Sequence, residues 1–299
     1  MTLPLSQLRD RLLAHLSTDP ARAPLGGVGI FHSHSVQKLR DIPFHQPLMV
    51  LVVSGRKVLA LGQRQVDVLP GELLLLPAGC TAEIGNHPGK QGEDYLGLAI
   101  GFSEQSIAQF RRSYGAEHVD ASSPRWRAPA PEELVTSMAQ WVDWCMKHPA
   151  DAALGQHRQV EFLLLLAHAG VAGNLLLNRE ASWHDRVAQL LAADPAREWN
   201  LGTVCRQLGI GESTLRRYLQ AEGSGFRQVL EETRMVAGLA LLQETSWSVG
   251  MVAEAVGYNS HSRFSDRFKR RFGLSPAELK KSRERHGAER ERLRAIAKA

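Results

Sequence analysis

The spacing of apolar residues changes twice along the chain. Residues 3 to 16 place Leu5, Leu8, Leu12, Leu13 and Leu16 near the helical period, which predicts a short amphipathic helix. From about Gly27 to Gly101 the texture becomes short apolar runs: Leu48 to Val53, Val58 to Leu61, Val66 to Val68, Leu73 to Leu76 and Leu96 to Ile100. Gly, Pro and charged turns separate them, as in an all-β sandwich or barrel. Pro70-Gly71 supplies one turn, Leu73 to Leu76 a buried strand, and Pro77-Ala78-Gly79 the next turn.

The stretch "DVLPGELLLLPAGCTAEI" resembles a segment of the cupin fold, a small antiparallel double-sheet barrel. After residue 103 the helical period returns. Glu132 to Lys147 carries Leu134, Val135, Met138, Trp141, Val142 and Cys145, and a second helix is expected over roughly Gln156 to Leu177. Pro124, Pro129 and Pro131 bound the first of these as a linker would. The pair reads equally as a dimer interface or as packing against the barrel.

A further helix starts at Ser182, with Asp185 placed to close a capping box. Leu201, Val204, Cys205 and Leu208 then define one helix face. Gly209-Ile210-Gly211 forms a turn, and Glu212 to Ala221 forms a second helix with Leu215 and Leu219 inward. Helix, short glycine turn, helix is the helix-turn-helix plan, whose second helix enters the major groove. The pattern returns about 49 residues later: Val249, Val252, Ala253 and Val256, then Gly257-Tyr258-Asn259, then Phe264, Phe268 and Phe272. Phe226 to Leu242 joins the two copies, and an internal repeat of one supersecondary unit is a fold-level clue.

Val252 to Arg283 resembles the AraC/XylS family signature. The residues that carry the resemblance are Ala255, Gly257-Tyr258, Ser260, Phe264, Phe268-Lys269-Arg270, Phe272-Gly273 and Ser275-Pro276. Leu279 stands where an aromatic is common and Leu219 where the first unit often has Phe, so packing adjusts while apolar character is kept. Gly273 is expected to end its helix in a left-handed conformation, with Ser275, Pro276 and Glu278 starting the next. The face geometry projects His261, Ser262, Arg263, Ser265 and Arg267 outward from the second reading helix. From the first it projects Ser213, Thr214, Arg216 and Arg217. Arg263 and Arg216 are the base-reading candidates, because a guanidinium donates two bonds to guanine. Lys269, Arg270 and Arg271 are assigned to phosphates or to the local field.

Charge follows the same division. From Ala181 onward the chain has 20 Lys/Arg against 14 Asp/Glu, and residues 1–180 hold the other 16 and 17. The positive excess therefore lies in the segment expected to meet a polyanion. Cys80, Cys145 and Cys205 have no paired spacing, which argues against a disulfide framework or zinc module and fits a reducing cytosol. There is no basic start with an apolar signal core, and Phe162 to Leu177 is too short and too polar for a membrane span.

Many cupins bind metal through His-x-His and a following Glu. His32-Ser33-His34 has the first spacing, but the nearest following carboxylate is Asp41, and His45 and His87 stand alone in the sequence. The histidines therefore read as surface or strand-edge residues, with no metal, cofactor or catalytic group assigned. No nucleophile elbow or phosphate-cradling loop appears.

The fold class expected is α+β, in three parts. Residues 1–125 form a cupin-like effector-sensing barrel, 126–180 a helical linker and dimerisation region, and 181–299 an all-α double helix-turn-helix domain. The function implied is a cytoplasmic, non-enzymatic regulator that binds double-stranded promoter DNA under a small-molecule effector, as a homodimer, with RNA polymerase as a further contact. Two alternatives are a cupin metalloenzyme fused to a DNA-binding domain and a ligand-blind regulator whose barrel only dimerises.

Overall fold

The computed structural model describes residues 3–18, 28–115, 125–148, 151–177 and 181–283. Pro124 of the expected linker and the basic residues after Arg283 lie outside them. Helix α1 (Leu3–Thr18) precedes strands β1 (Val28–Ser33), β2 (Gln37–Phe44), β3 (Leu48–Ser54), β4 (Arg56–Leu61), β5 (Arg64–Val68), β6 (Glu72–Leu76), β7 (Cys80–His87) and β8 (Tyr95–Gly101). After helix α2 (Glu104–Tyr114), residues 127–129 add a ninth strand, β9 (Arg127–Pro129), which pairs with β6. The strands form two antiparallel sheets, ordered β1-β8-β3-β6-β9 and β2-β7-β4-β5.

Strands β3 and β6 are apolar from Leu48 to Val53 and from Leu73 to Leu76 because both of their faces are covered. Val50, Val52, Leu74 and Leu76 point between the sheets toward Leu39, Leu59 and Ile84. Met49, Leu51, Val53, Leu73 and Leu75 point the other way, into a cluster with α1, α2 and the helices α3 (Glu132–Lys147) and α4 (Ala152–His168). Alternation along a strand sends successive side chains to opposite faces, so a doubly covered strand loses its polar positions. Strands β1, β2 and β7 were not picked out by their apolar pattern, because each mixes polar residues into its buried face; Gln37 and Asn86 are both buried.

Helix α4 ends at His168, earlier than the apolar run suggests. The chain turns at Ala169–Gly170, and Gly173–Leu176 returns as a short 3-10 turn. There the Asn174 Nδ2 donates to the Leu75 carbonyl at 2.9 Å.

Seven helices follow: α5 (Trp183–Ala192), α6 (Leu201–Leu208), α7 (Glu212–Ala221), α8 (Phe226–Glu244), α9 (Val249–Ala255), α10 (His261–Phe272) and α11 (Pro276–Arg283). The capping box at Ser182 and Asp185 is present. So is the one at Ser275 and Glu278, where the Ser275 N–H donates to Glu278 at 2.8 Å and the Glu278 N–H to Ser275 Oγ at 3.2 Å. Gly273 adopts φ 79°, the left-handed end expected for α10. Leu215, Leu219, Val204 and Val229 form the core of the first unit. Phe264, Phe268 and Phe272 of the second unit share one apolar cluster with the inner face of the barrel.

Candidate nucleic-acid interface

In each unit a short helix fixes the reading helix by burying every fourth residue of it. Leu215 and Leu219 of α7 are buried, which leaves Ser213, Arg216 and Arg217 exposed and Thr214 half-buried. Arg216 Nη2 lies 3.6 Å from Glu212 Oε2, one turn earlier, and the Arg217 guanidinium lies 5.5 Å from the Tyr218 ring centroid. In α10 the buried phenylalanines leave His261, Ser262, Arg263, Asp266, Lys269 and Arg270 exposed and Ser265 half-buried. Ser260 caps α10 by accepting from the Arg263 N–H at 3.3 Å, which satisfies a backbone donor at the end of the helix where His261, Ser262 and Arg263 are exposed.

Two arginines differ from the sequence expectation. Arg267, expected to project outward, is half-buried and ion-paired with Glu231 of α8. Arg271, assigned to the field, donates to Glu232 at 2.7 Å. Both face α8 because residues 267 and 271 are one turn apart on its side of α10.

Between α8 and the start of α10 lies a groove of about 320 Å³, lined by Arg227, Glu231, Arg234, Arg263 and Arg267 with the Gly257–Ser260 turn. Arg227 and Arg234 line this groove although α8 reads as scaffold from its sequence; their seven-residue spacing puts them on one helix face. Arg234 donates to the carbonyls of Pro195 (3.0 Å) and Arg197 (3.2 Å), which ties the joining helix α8 to the loop after α5. Gly257 makes this possible: its φ is 80°, and a Cβ there would lie 2.7 Å from Arg234 Nη2.

The barrel meets the first unit through a polar cluster. His45, in the β2–β3 turn, places Nδ1 3.0 Å from Asp185 Oδ1 and Nε2 3.4 Å from Glu232 Oε1. The same Glu232 oxygen lies 2.8 Å from His184 Nε2. His45 is thus not isolated. Burial alone would lower its pKa, but contacts with Asp185 and Glu232 raise it to about 9. Glu232 is held well below the usual carboxylate range: its His184, His45 and Arg271 contacts outweigh its burial.

The His-x-His pair also gains a carboxylate, from sixty residues further along the chain. Asp94, just before β8, lies 3.1 Å from His32 Nε2 and 2.5 Å from His34 Nδ1. These contacts hold its carboxyl low against the upward push of burial.

Inside the barrel, a cavity of about 70 Å³ is lined by Phe31, Leu39, Ile42, Val50 and Lys57, with Leu239 and Gln243 of α8 among its walls. Burial pushes the Lys57 ammonium down to about 7. It donates to Asn86 Oδ1 at 2.7 Å and lies 3.4 Å from the Tyr95 hydroxyl. No helix among the described residues is long and apolar enough to cross a membrane.

A double-sheet barrel joined to two helix-turn-helix units with exposed basic reading helices is the architecture of a two-domain transcription regulator. Residues 24–170 match the family described as AraC-type transcriptional regulator N-terminus, and residues 204–282 match a helix-turn-helix domain. The HTH-type transcriptional regulator YdeO of Escherichia coli (strain K12) is 30% identical over 190 residues, 61% of this chain and 72% of YdeO. The urease operon transcriptional activator of E. coli is 32% identical over 103 residues, 34% of this chain, and the match spans only 35% of that relative's length. The fold is shared with ToxT from Vibrio cholerae, solved with an unsaturated fatty acid bound. That structure has a TM-score of 0.58 at 13% identity and covers 85% of this chain and 94% of its own. This chain belongs to the AraC-type transcriptional regulators.

Proposed function

We propose that the chain regulates transcription by seating α7 and α10 in the major groove of promoter DNA. Arg216 and Arg263 read bases, and Ser213, Thr214, Arg217, His261, Ser262 and Ser265 complete the contact surface. Lys269 and Arg270 meet phosphates, and Arg267 serves through its pair with Glu231 as a support for the groove wall. The observation that carries this reading is the repeated burial pattern, which leaves the N-terminal half of both reading helices exposed. The test is selection from a random duplex pool with the full chain. Recovery of a motif with two half-sites supports the reading, and salt-sensitive binding without any sequence preference counts against it.

A small molecule entering the barrel cavity is the proposed effector. The lining calls for an apolar body with an acceptor or anionic end placed near Lys57, a combination the fatty acid seen in ToxT would also satisfy. In this proposal a ligand larger than the present 70 Å³ displaces Leu239 and Gln243, the two wall residues that lie on the helix joining the two reading units. Its binding energy would then differ between two placements of α8, as effector control requires. Action as a homodimer through the 126–180 segment in the cytoplasm, with RNA polymerase contact, completes the proposal.

A metalloenzyme reading would draw on His32, His34 and Asp94. It is disfavoured by strand alternation: Phe31 lines the cavity, whereas His32 shares the opposite face of β1 with Ile30. A substrate in the cavity would not meet that cluster.

A further inference from the structure

We propose that His32, His34 and Asp94 form a binding site for one divalent transition-metal ion of borderline softness, such as zinc, at the seam between the barrel and α11. Antiparallel pairing of β1 with β8 builds the site. The register sets His32 opposite Leu96 and Ser33 opposite Tyr95, so the next step along both chains brings His34 across from Asp94. The two imidazoles meet edge to face with centroids 4.5 Å apart, and their nitrogens converge on the two oxygens of a single carboxylate. All three ligand atoms lie within 4.8 Å of one another. Donors about 2.0–2.2 Å from a tetrahedral ion sit roughly 3.3 Å apart, so small movements suffice to seat one.

Two imidazoles and a carboxylate are a borderline donor set, and three protein ligands leave room for water or a further ligand. The cluster is largely enclosed, with side-chain exposures of 12%, 19% and 11%. The backbone on both sides is anchored. Ser54 Oγ donates to the Asp94 carbonyl at 2.6 Å, and the His34 N–H donates to the Ser282 carbonyl of α11 at 2.7 Å. A bound ion would therefore stiffen the end of β1 where it holds the last described helix of the reader. Nearby Arg283 turns its guanidinium to the carbonyls of Leu242 and Thr245.

The second histidine cluster is a poorer trap. Glu232 is already ion-paired with Arg271 at 2.7 Å and His45 Nδ1 with Asp185 at 3.0 Å, so two of its donor groups would have to leave a cationic or acidic partner first. The proposal thus makes opposite forecasts for the two clusters.

The test uses the full chain stripped with a chelator, then titrated with zinc against a chromophoric competitor and with cobalt(II) by visible absorption. One equivalent per chain is expected, together with a rise in melting temperature as zinc is added. Asp94→Asn and His34→Gln should each weaken binding at least tenfold, since even outer-shell changes cost about 10–100-fold. His184→Gln should leave the stoichiometry unchanged. Absence of saturable binding, equal affinity in a folded His34→Gln chain, or loss of the ion in His184→Gln would each overturn the assignment.

Discussion

His45 Nδ1 lies 3.0 Å from Asp185 Oδ1, so one histidine of the barrel caps the acid that itself starts the first helix of the reader. Around it stand Glu232 and Arg271, which face each other from α8 and α10, and His184 beside Asp185. The raised pKa of His45, about 9 against a usual 6.5, gives the contact a sign. Its contribution is complete below about pH 6.5 and is lost as pH rises through 9. Lys57 opposes this: its pKa is lowered to about 7, so its burial costs less as pH rises from 7 toward 10.5. Total stability against pH therefore mixes the two. The difference between wild type and His45→Gln isolates the first and should shrink by about 2–3 kcal/mol between pH 6 and pH 9.5. Urea unfolding at both pH values measures it; a difference independent of pH would remove His45 from this role.

The second reading helix depends on a close approach. A Cβ on Gly238 of α8 would lie 2.8 Å from Phe264 Cε2, a ring fixed in the middle of the α10 core. Alanine would gain about 1 kcal/mol of helix propensity, but forcing the phenylalanine stack apart costs about 1–3 kcal/mol. Gly238→Ala should therefore be neutral to destabilising by up to about 2 kcal/mol and should weaken DNA binding. Gly250→Ala, exposed within α9 and with only Ser248 Oγ nearby at 3.8 Å, should do neither. Urea midpoints and binding isotherms for both variants decide it.

Arg263 and Lys269 are both exposed on α10, six residues and under two turns apart. Arg263→Ala should cost about 1–3 kcal/mol of discrimination between the selected site and single-base variants. Lys269→Ala should weaken all sequences alike and reduce the salt slope by about 1. Titrations against base variants at two salt concentrations separate them, and uniform loss for Arg263→Ala would move it to the phosphate class.

The reader was legible in the sequence because its signals are local: caps at Ser182 and Ser275, a four-residue phenylalanine step, and a repeat. The doubly covered strands β3 and β6 were legible for the same reason. What could not be read were relationships set by pairing. Asp94 lies 60 residues from His34 and meets it only through the β1–β8 register, and His45 finds Asp185 140 residues away. Helix periodicity gives the direction of Arg267 but not the neighbour, Glu231, that pairs with it there.

A buried chain of hydrogen bonds joins the barrel cavity to the reader. Lys57 Nζ donates to Asn86 Oδ1 (2.7 Å), Asn86 Nδ2 to Gln37 Oε1 (2.9 Å), Gln37 Nε2 to Ser282 Oγ (2.7 Å), and Ser282 Oγ to the Leu279 carbonyl (2.6 Å). Every donor runs in the same direction, from a cavity wall to α11. Members of such a network are coupled, because removing one leaves its buried neighbours unpaired at about 1–3 kcal/mol each. Gln37→Leu should therefore destabilise the chain by about that amount. Lys57→Met, which swaps a buried ammonium for an apolar chain of similar length, should cost less and frees the Asn86 carbonyl. If the network acts as one unit, the double variant departs from the sum of the single effects by at least about 0.5 kcal/mol, although Lys57 and Gln37 are linked only through Asn86. Urea unfolding of the four chains at pH 7 gives the cycle. Additivity within error would reduce the chain to independent contacts and favour the proposed displacement of α8 as the link from cavity to reader.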